Sequence, residues 1–152
     1  MQLGSVFIWK NFPYCKDGNI KNRYFLYIGE SHFPVNPVHI FLITATTRKM
    51  HYEIGGSREE HNIYKFKAGS FGFVEDCILD IDFLQSNITK SAFNSCQNEI
   101  KEVGKLPEKE LKEIYNLILK SKYINLKVKQ DIYSSYNHTN ITGLKRPKKN
   151  KK

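Results

Sequence analysis

Two short apolar runs near the start of the chain limit its fold more than anything else in the sequence: Arg23-Tyr-Phe-Leu-Tyr-Ile-Gly29 and His39-Ile-Phe-Leu-Ile-Thr-Ala-Thr-Thr47. Both are rich in β-branched and aromatic residues and are bounded by Gly, Pro, Asn or charge. That length and composition mark buried strands rather than helix segments. Each run also carries a polar residue that packing alone does not demand, Arg23 at the head of the first and Thr44 inside the second. An arginine at the mouth of one strand, a threonine hydroxyl on the next and a basic loop ahead of both can converge on one phosphate.

The segments around these runs read as further short strands. Gly4 to Phe12 forms a first strand that Pro13 stops, and residues 13 to 22 make a longer connection with an Asp17-Gly18 hairpin signal and positive charge from Lys16 and Lys21. Pro34 and Pro37 keep residues 31 to 37 out of any central strand, because proline has no N–H to give the ladder. The third strand then spans Val38 to Thr46. Arg48 to Glu60, with Gly55-Gly56, reads as a loop holding one short edge strand near Met50 to Ile54.

Asn62 to Lys67 alternates as a half-buried strand does, and Phe73 to Phe83 reads as another strand despite Glu75, Asp76, Asp80 and Asp82. Ser86 to Asn98 has few apolar anchors and is left as loop or weak helix. Ile100 to Leu106 makes a last strand before a helix over Pro107 to Lys122, where Leu111, Ile114, Tyr115, Ile118 and Leu119 repeat at the spacing of one apolar face. A second short helix fits Asn125 to Tyr136. The pattern predicts a β-rich α+β fold, a small barrel closed by a C-terminal helix.

Length and charge add boundaries. A chain of 152 residues fits one domain, here 1–136, with a basic tail over 137–152 that is expected to be disordered. Of the net charge of +9, six units come from Lys145, Arg146, Lys148, Lys149, Lys151 and Lys152, so a polyanionic partner is expected, nucleic acid ahead of membrane. Cys15, Cys77 and Cys96 are far apart and lack metal-site spacing, so neither a zinc site nor a disulfide framework is indicated and no cofactor is expected. No apolar run approaches the roughly 20 residues of a membrane span, and a cytoplasmic location is expected.

The order of Gly4, the Lys10-Asn11-Phe12-Pro13 strand exit, a basic Gly-containing loop, Arg23 opening an apolar strand and Leu42-Ile43-Thr44-Ala45 ending the next resembles the MazF/PemK/Kid family of toxins from toxin-antitoxin pairs. Leu79-Asp80-Ile81-Asp82 and Gly104-Lys105-Leu106-Pro107 are similar to that family's last strands and closing helix. The resemblance covers roughly residues 3 to 122 and lies in order and spacing rather than in one long motif. It implies an SH3-like barrel, a homodimer, and metal-independent cleavage of single-stranded RNA, held in check by an acidic antitoxin. It makes Arg23 the counterpart of the family's catalytic arginine and Thr44 that of its catalytic hydroxyl. Two departures stand out: the arginine is followed by Tyr24 where proline is usual, and Leu79 occupies a place where some members carry a second arginine.

Cleavage by the ribose 2′-hydroxyl needs a base, stabilisation of the phosphorane charge and a proton for the leaving oxygen. Arg23 suits the second task and Thr44 can donate to the same phosphate, but neither is a comfortable base. His51, just beyond the Thr44 strand, His61 and Asp82 are the candidates. Tyr14, Lys16 and Lys21 are the expected RNA contacts, Tyr14 by stacking on a splayed base. Other readings stay open: Arg23 in an ion pair with Asp80 or Asp82, Thr44 as a plain β-former, and the whole chain as a non-catalytic binding module or a gyrase poison of the CcdB type.

Overall fold

The computed structural model describes residues 1–14, 21–32, 34 and 36–148. The apolar runs form the middle of an antiparallel sheet: β1 (Ser5–Phe12), β2 (Lys21–Glu30) and β3 (His39–Thr46) lie side by side. With β4 (Ile63–Phe66), β5 (Cys77–Asp80), β6 (Gln85–Thr89) and β7 (Ile100–Lys105), the order is β4-β5-β3-β2-β1-β7, and β6 also pairs with β3. The sheet curls strongly into a half-barrel, and three helices complete an α+β fold that is mostly strand. Between its two edges runs the segment after β4. There Gly72 (φ +94°) comes so close to β7 that a Cβ would lie 2.5 Å from the Val103 carbonyl oxygen.

The middle portions of the central strands are mostly apolar because both faces of the sheet are covered there. On one face Val6, Leu26, Ile28, Phe41, Ile43 and Leu79 meet the apolar sides of α2 (Glu108–Lys120) and α3 (Leu126–His138). On the other, Phe7, Trp9, Phe25, Tyr27, Ile40 and Leu42 pack with Phe93 of α1 (Lys90–Ser95). Period-two alternation sends neighbouring residues of one strand to different cores.

The helices form where their signals lie. Glu108 and Glu110 stand in the first turn of α2 and Lys120 in its last, as the helix dipole favours. Asn125 caps α3 by accepting from the Val128 N–H at 2.9 Å. Lys129 of α3 is buried and donates to the Leu119 and Ser121 carbonyls at 3.0 and 2.7 Å, closing the C-terminal end of α2. Burial holds its pKa below the usual lysine value.

Four segments differ from the expectation raised by the sequence. Of Phe73 to Phe83, expected as one strand, only Cys77–Asp80 is extended in the sheet, and Ile81–Phe83 is a 3₁₀ turn. The edge strand expected near Met50 to Ile54 is a 3₁₀ turn, Lys49–Tyr52, because the chain doubles back on itself: Arg58 N–H bonds the His51 carbonyl at 2.7 Å and Gly56 N–H the Glu53 carbonyl at 2.8 Å. Ser86 to Asn98, read as loop or weak helix, contributes most of β6 and all of α1; β6 is held by pairing with β3, and Thr89 caps α1 by accepting from Ala92 N–H. Residues 137–148, part of the basic segment expected to be disordered, begin as the end of α3 and then lie on the body. Ile141 is buried, Leu144 packs on the core, and the Tyr115 hydroxyl donates to the Lys145 carbonyl at 2.5 Å. Among the described residues no helix is long and apolar enough to cross a membrane.

Candidate active site

The sheet register brings Arg23 and Thr44 to the same face. Phe25 pairs with Thr44 across β2 and β3, Trp9 pairs with Arg23 across β1 and β2, and residues two apart on one strand share a face. Arg23 and Thr44 are therefore diagonal neighbours, both half-buried, on the side that carries Trp9 and Phe25. Two hydrogen-bonding atoms on this face, Trp9 Nε1 and Thr44 Oγ1, are buried with no partner among the described residues. Leaving such a group unpaired costs about 1–3 kcal/mol, so the pair calls for an explanation.

The other sequence candidates fall into separate places. His51 sits on the 3₁₀ turn after β3, with Nδ1 3.3 Å from Ser57 Oγ. Asp82 accepts from the Asn62 backbone N–H at 2.8 Å and its side-chain amide at 3.2 Å, so its described hydrogen bonds fix the approach to β4 rather than meet Arg23 or Thr44. Tyr14 is 46% exposed and rests edge-on against Trp9 and Phe12, with ring centroids at 6.0 and 5.6 Å. Lys21 is exposed at the start of β2, next to that aromatic group. Lys16, Cys15 and the Asp17-Gly18 turn lie outside the described residues.

Asp80 assembles a cluster that the sequence reading did not. Its side chain is 3% exposed and accepts from the Tyr52 hydroxyl at 2.9 Å and from His61 Nδ1 at 2.9 and 3.0 Å. Arg58 lies 3.8 Å from the same carboxylate, bonds the Tyr52 oxygen at 3.1 Å and stacks 4.9 Å above the Phe83 ring. A carboxylate inside the apolar stretch Cys77-Ile-Leu-Asp80-Ile81 was the available signal, since a buried acid requires partners. The described partners of Asp80 are Arg58, His61 and Tyr52 rather than Arg23.

The strands relate the two groups. Ala45 pairs with Leu79, so alternation along β3 and β5 turns Asp80 to the face of Thr44. Arg23 and Asp80 stand two strands apart, about 10 Å in the direction of the ladder. Neither a family model nor a curated protein matches the chain.

A concavity of about 1130 Å³ lies elsewhere, between the end of β2 and the end of α3. There His32 and His138 face each other with centroids 5.0 Å apart, and Lys90 pairs with Glu30 at 2.9 Å. A second recess of about 500 Å³ is lined by Lys129, Lys145, Arg146 and Lys148 and continues the basic character of the C-terminal segment.

Proposed function

We propose that this chain is a metal-independent endoribonuclease that cleaves single-stranded RNA at a short sequence, as the MazF/PemK/Kid resemblance implies. The observation that carries the reading is that Arg23 and Thr44 are diagonal neighbours on one sheet face, with the Thr44 hydroxyl unpartnered among the described residues. A phosphate oxygen brought to that face would supply the partner this hydroxyl lacks. In this reading the Arg23 guanidinium stabilises charge on the pentavalent phosphorus, and Thr44 holds the same phosphate. Tyr14 offers a ring for base stacking, worth about 1–3 kcal/mol, and Lys16 and Lys21 meet the backbone.

The curled half-barrel is compatible with an SH3-like barrel. A homodimer and an acidic, partly disordered antitoxin that competes for the basic groove complete the proposal.

The test is incubation with a long single-stranded transcript in the presence of a chelator. Cleavage is expected, and Arg23→Ala should slow it by about 100- to 1,000-fold with its melting transition retained. An Arg23→Ala protein that cuts at the wild-type rate would sink the assignment.

One observation favours a second reading, a silent nucleic-acid-binding module: the Thr44 hydroxyl is sealed from solvent. RNA bound but left intact by the wild-type chain would select it. A gyrase poison acting through an apolar C-terminal helix has less to support it, because Ile132 and Tyr136 of α3 are already buried in the body.

A further inference from the structure

We propose that His61, oriented by Asp80, takes the ribose 2′-hydroxyl proton in RNA cleavage by this chain, with Arg58 beside it as a second phosphate contact. The inference rests on the nuclease reading and supplies the base that Arg23 and Thr44 cannot be. Its ground is the geometry of one imidazole. An ionised carboxylate only accepts, so the bond to Asp80 puts the His61 proton on Nδ1 and leaves Nε2 as the basic nitrogen. Nε2 has no hydrogen-bond partner among the described residues, and the side chain is 17% exposed.

The surroundings fix that arrangement. Asp80 is held in turn by the Tyr52 hydroxyl, and the Tyr123 ring packs against the imidazole with centroids 5.2 Å apart. A base whose second nitrogen is anchored on a buried carboxylate is oriented before substrate arrives, which is the arrangement proton abstraction requires. Arg58, 38% exposed, adds a planar donor within the same cluster. Asp80 shares the sheet face of Thr44 on the neighbouring strand, so the imidazole it holds stands on the β5 side of that hydroxyl.

The step balances without a cofactor. The 2′-hydroxyl proton moves to Nε2, the 2′-oxygen bonds the adjacent phosphorus, and the bond from phosphorus to the 5′-oxygen breaks. The departing 5′-oxygen takes a proton from water, and the imidazolium returns its proton to solvent. The products are a 2′,3′-cyclic phosphate and a 5′-hydroxyl end. Asp80 acts as a positioning residue, not a catalytic one.

The experiment measures single-turnover cleavage of a long single-stranded transcript by the full chain, in chelator, from about pH 5 to about pH 8, with end groups read by mass spectrometry. His61→Gln should lose at least about 100-fold in rate, bind RNA as before, melt as the wild type does, and lose the rise of rate with pH on the acid side. Asp80→Asn should lower kcat with KM unchanged and shift the His61 tautomer seen in imidazole ¹⁵N spectra. Wild-type cleavage with His61→Gln within threefold of it would overturn the His61 assignment and leave the nuclease reading standing. An unaltered tautomer and pH profile in a folded Asp80→Asn protein would overturn the positioning role. A wild-type chain that cuts no RNA would overturn both the nuclease reading and this inference.

Discussion

Gly29→Ala tests how β2 is seated on α3. Gly29 has φ +141°, a conformation side chains rarely adopt, and a Cβ built there would lie 2.7 Å from both Cβ and Oγ of Ser135. The contact is close because Ser135 clips the two elements together: its hydroxyl accepts from the Glu30 N–H at 3.1 Å and lies 3.2 Å from the Glu30 carbonyl. Backbone strain should cost about 1–3 kcal/mol and overpacking about 1–3 kcal/mol more, for a total of about 4 kcal/mol. At about 3 °C per kcal/mol for a chain of this size, the melting temperature should fall by about 12 °C.

The clash has a specific remedy. Ser135→Gly removes both obstructing atoms, at a cost of about 2 kcal/mol for the lost clip and the helical glycine. The double variant should therefore be about 2 kcal/mol more stable than the sum of the single effects, while the φ strain persists. Urea unfolding followed through the fluorescence of Trp9, the single tryptophan, reads all four proteins. A Gly29→Ala protein within about 1 kcal/mol of wild type, or a strictly additive cycle, would refute the packing argument.

Two further outcomes follow from buried polar groups. Thr44→Val preserves volume and removes a hydroxyl that has no partner, so stability should be unchanged or up to about 1 kcal/mol higher while RNA cleavage slows; an unaltered rate would make the hydroxyl structural. Alkaline conditions should destabilise the fold, since burial raises the phenols of Tyr27, Tyr115 and Tyr136 above the usual tyrosine value and pushes the Cys77 thiol up to about 12. Unfolded phenols release protons above about pH 10 and the folded ones keep them, so the unfolded state binds fewer protons there and stability falls as pH rises. Urea midpoints should drop between about pH 9 and about pH 11, less steeply in Tyr115→Phe; flat midpoints would contradict the burial of these groups.

The sequence made the doubly buried strands easy to read, because β2 and β3 must be apolar on both sides and few other patterns look like that. The helix over 107–122 was equally visible from its apolar stripe, and the structure places it at Glu108–Lys120. β6 was hidden for the opposite reason: Gln85-Ser-Asn-Ile-Thr89 buries only Ile88, and its extended form comes from the edge of β3 rather than from propensity. Its neighbour β5 appeared too long, since four carboxylates and seven apolar residues mix over 73–83 and nothing in that mixture marks the 3₁₀ turn at Ile81–Phe83. At the site, Arg23 and Thr44 could be paired from strand order alone. The Asp80 cluster could not, because it joins residues from a loop without periodicity, Tyr52, Arg58 and His61, to a strand that follows it.

The flank of β3 is shared. β5 pairs with Ala45 and Thr46, β6 pairs with His39, Ile40 and Leu42, and the turn Ile81–Phe83 spans the junction. Ile43 and Thr44 thus sit opposite a splice between two strands instead of a continuous ladder. The bridge is itself anchored, since Ile81 is buried in the core and both Ile81 and Asp82 are hydrogen-bonded to Asn62. The Thr44 hydroxyl therefore lies behind a junction whose hold depends on three residues rather than on an unbroken ladder.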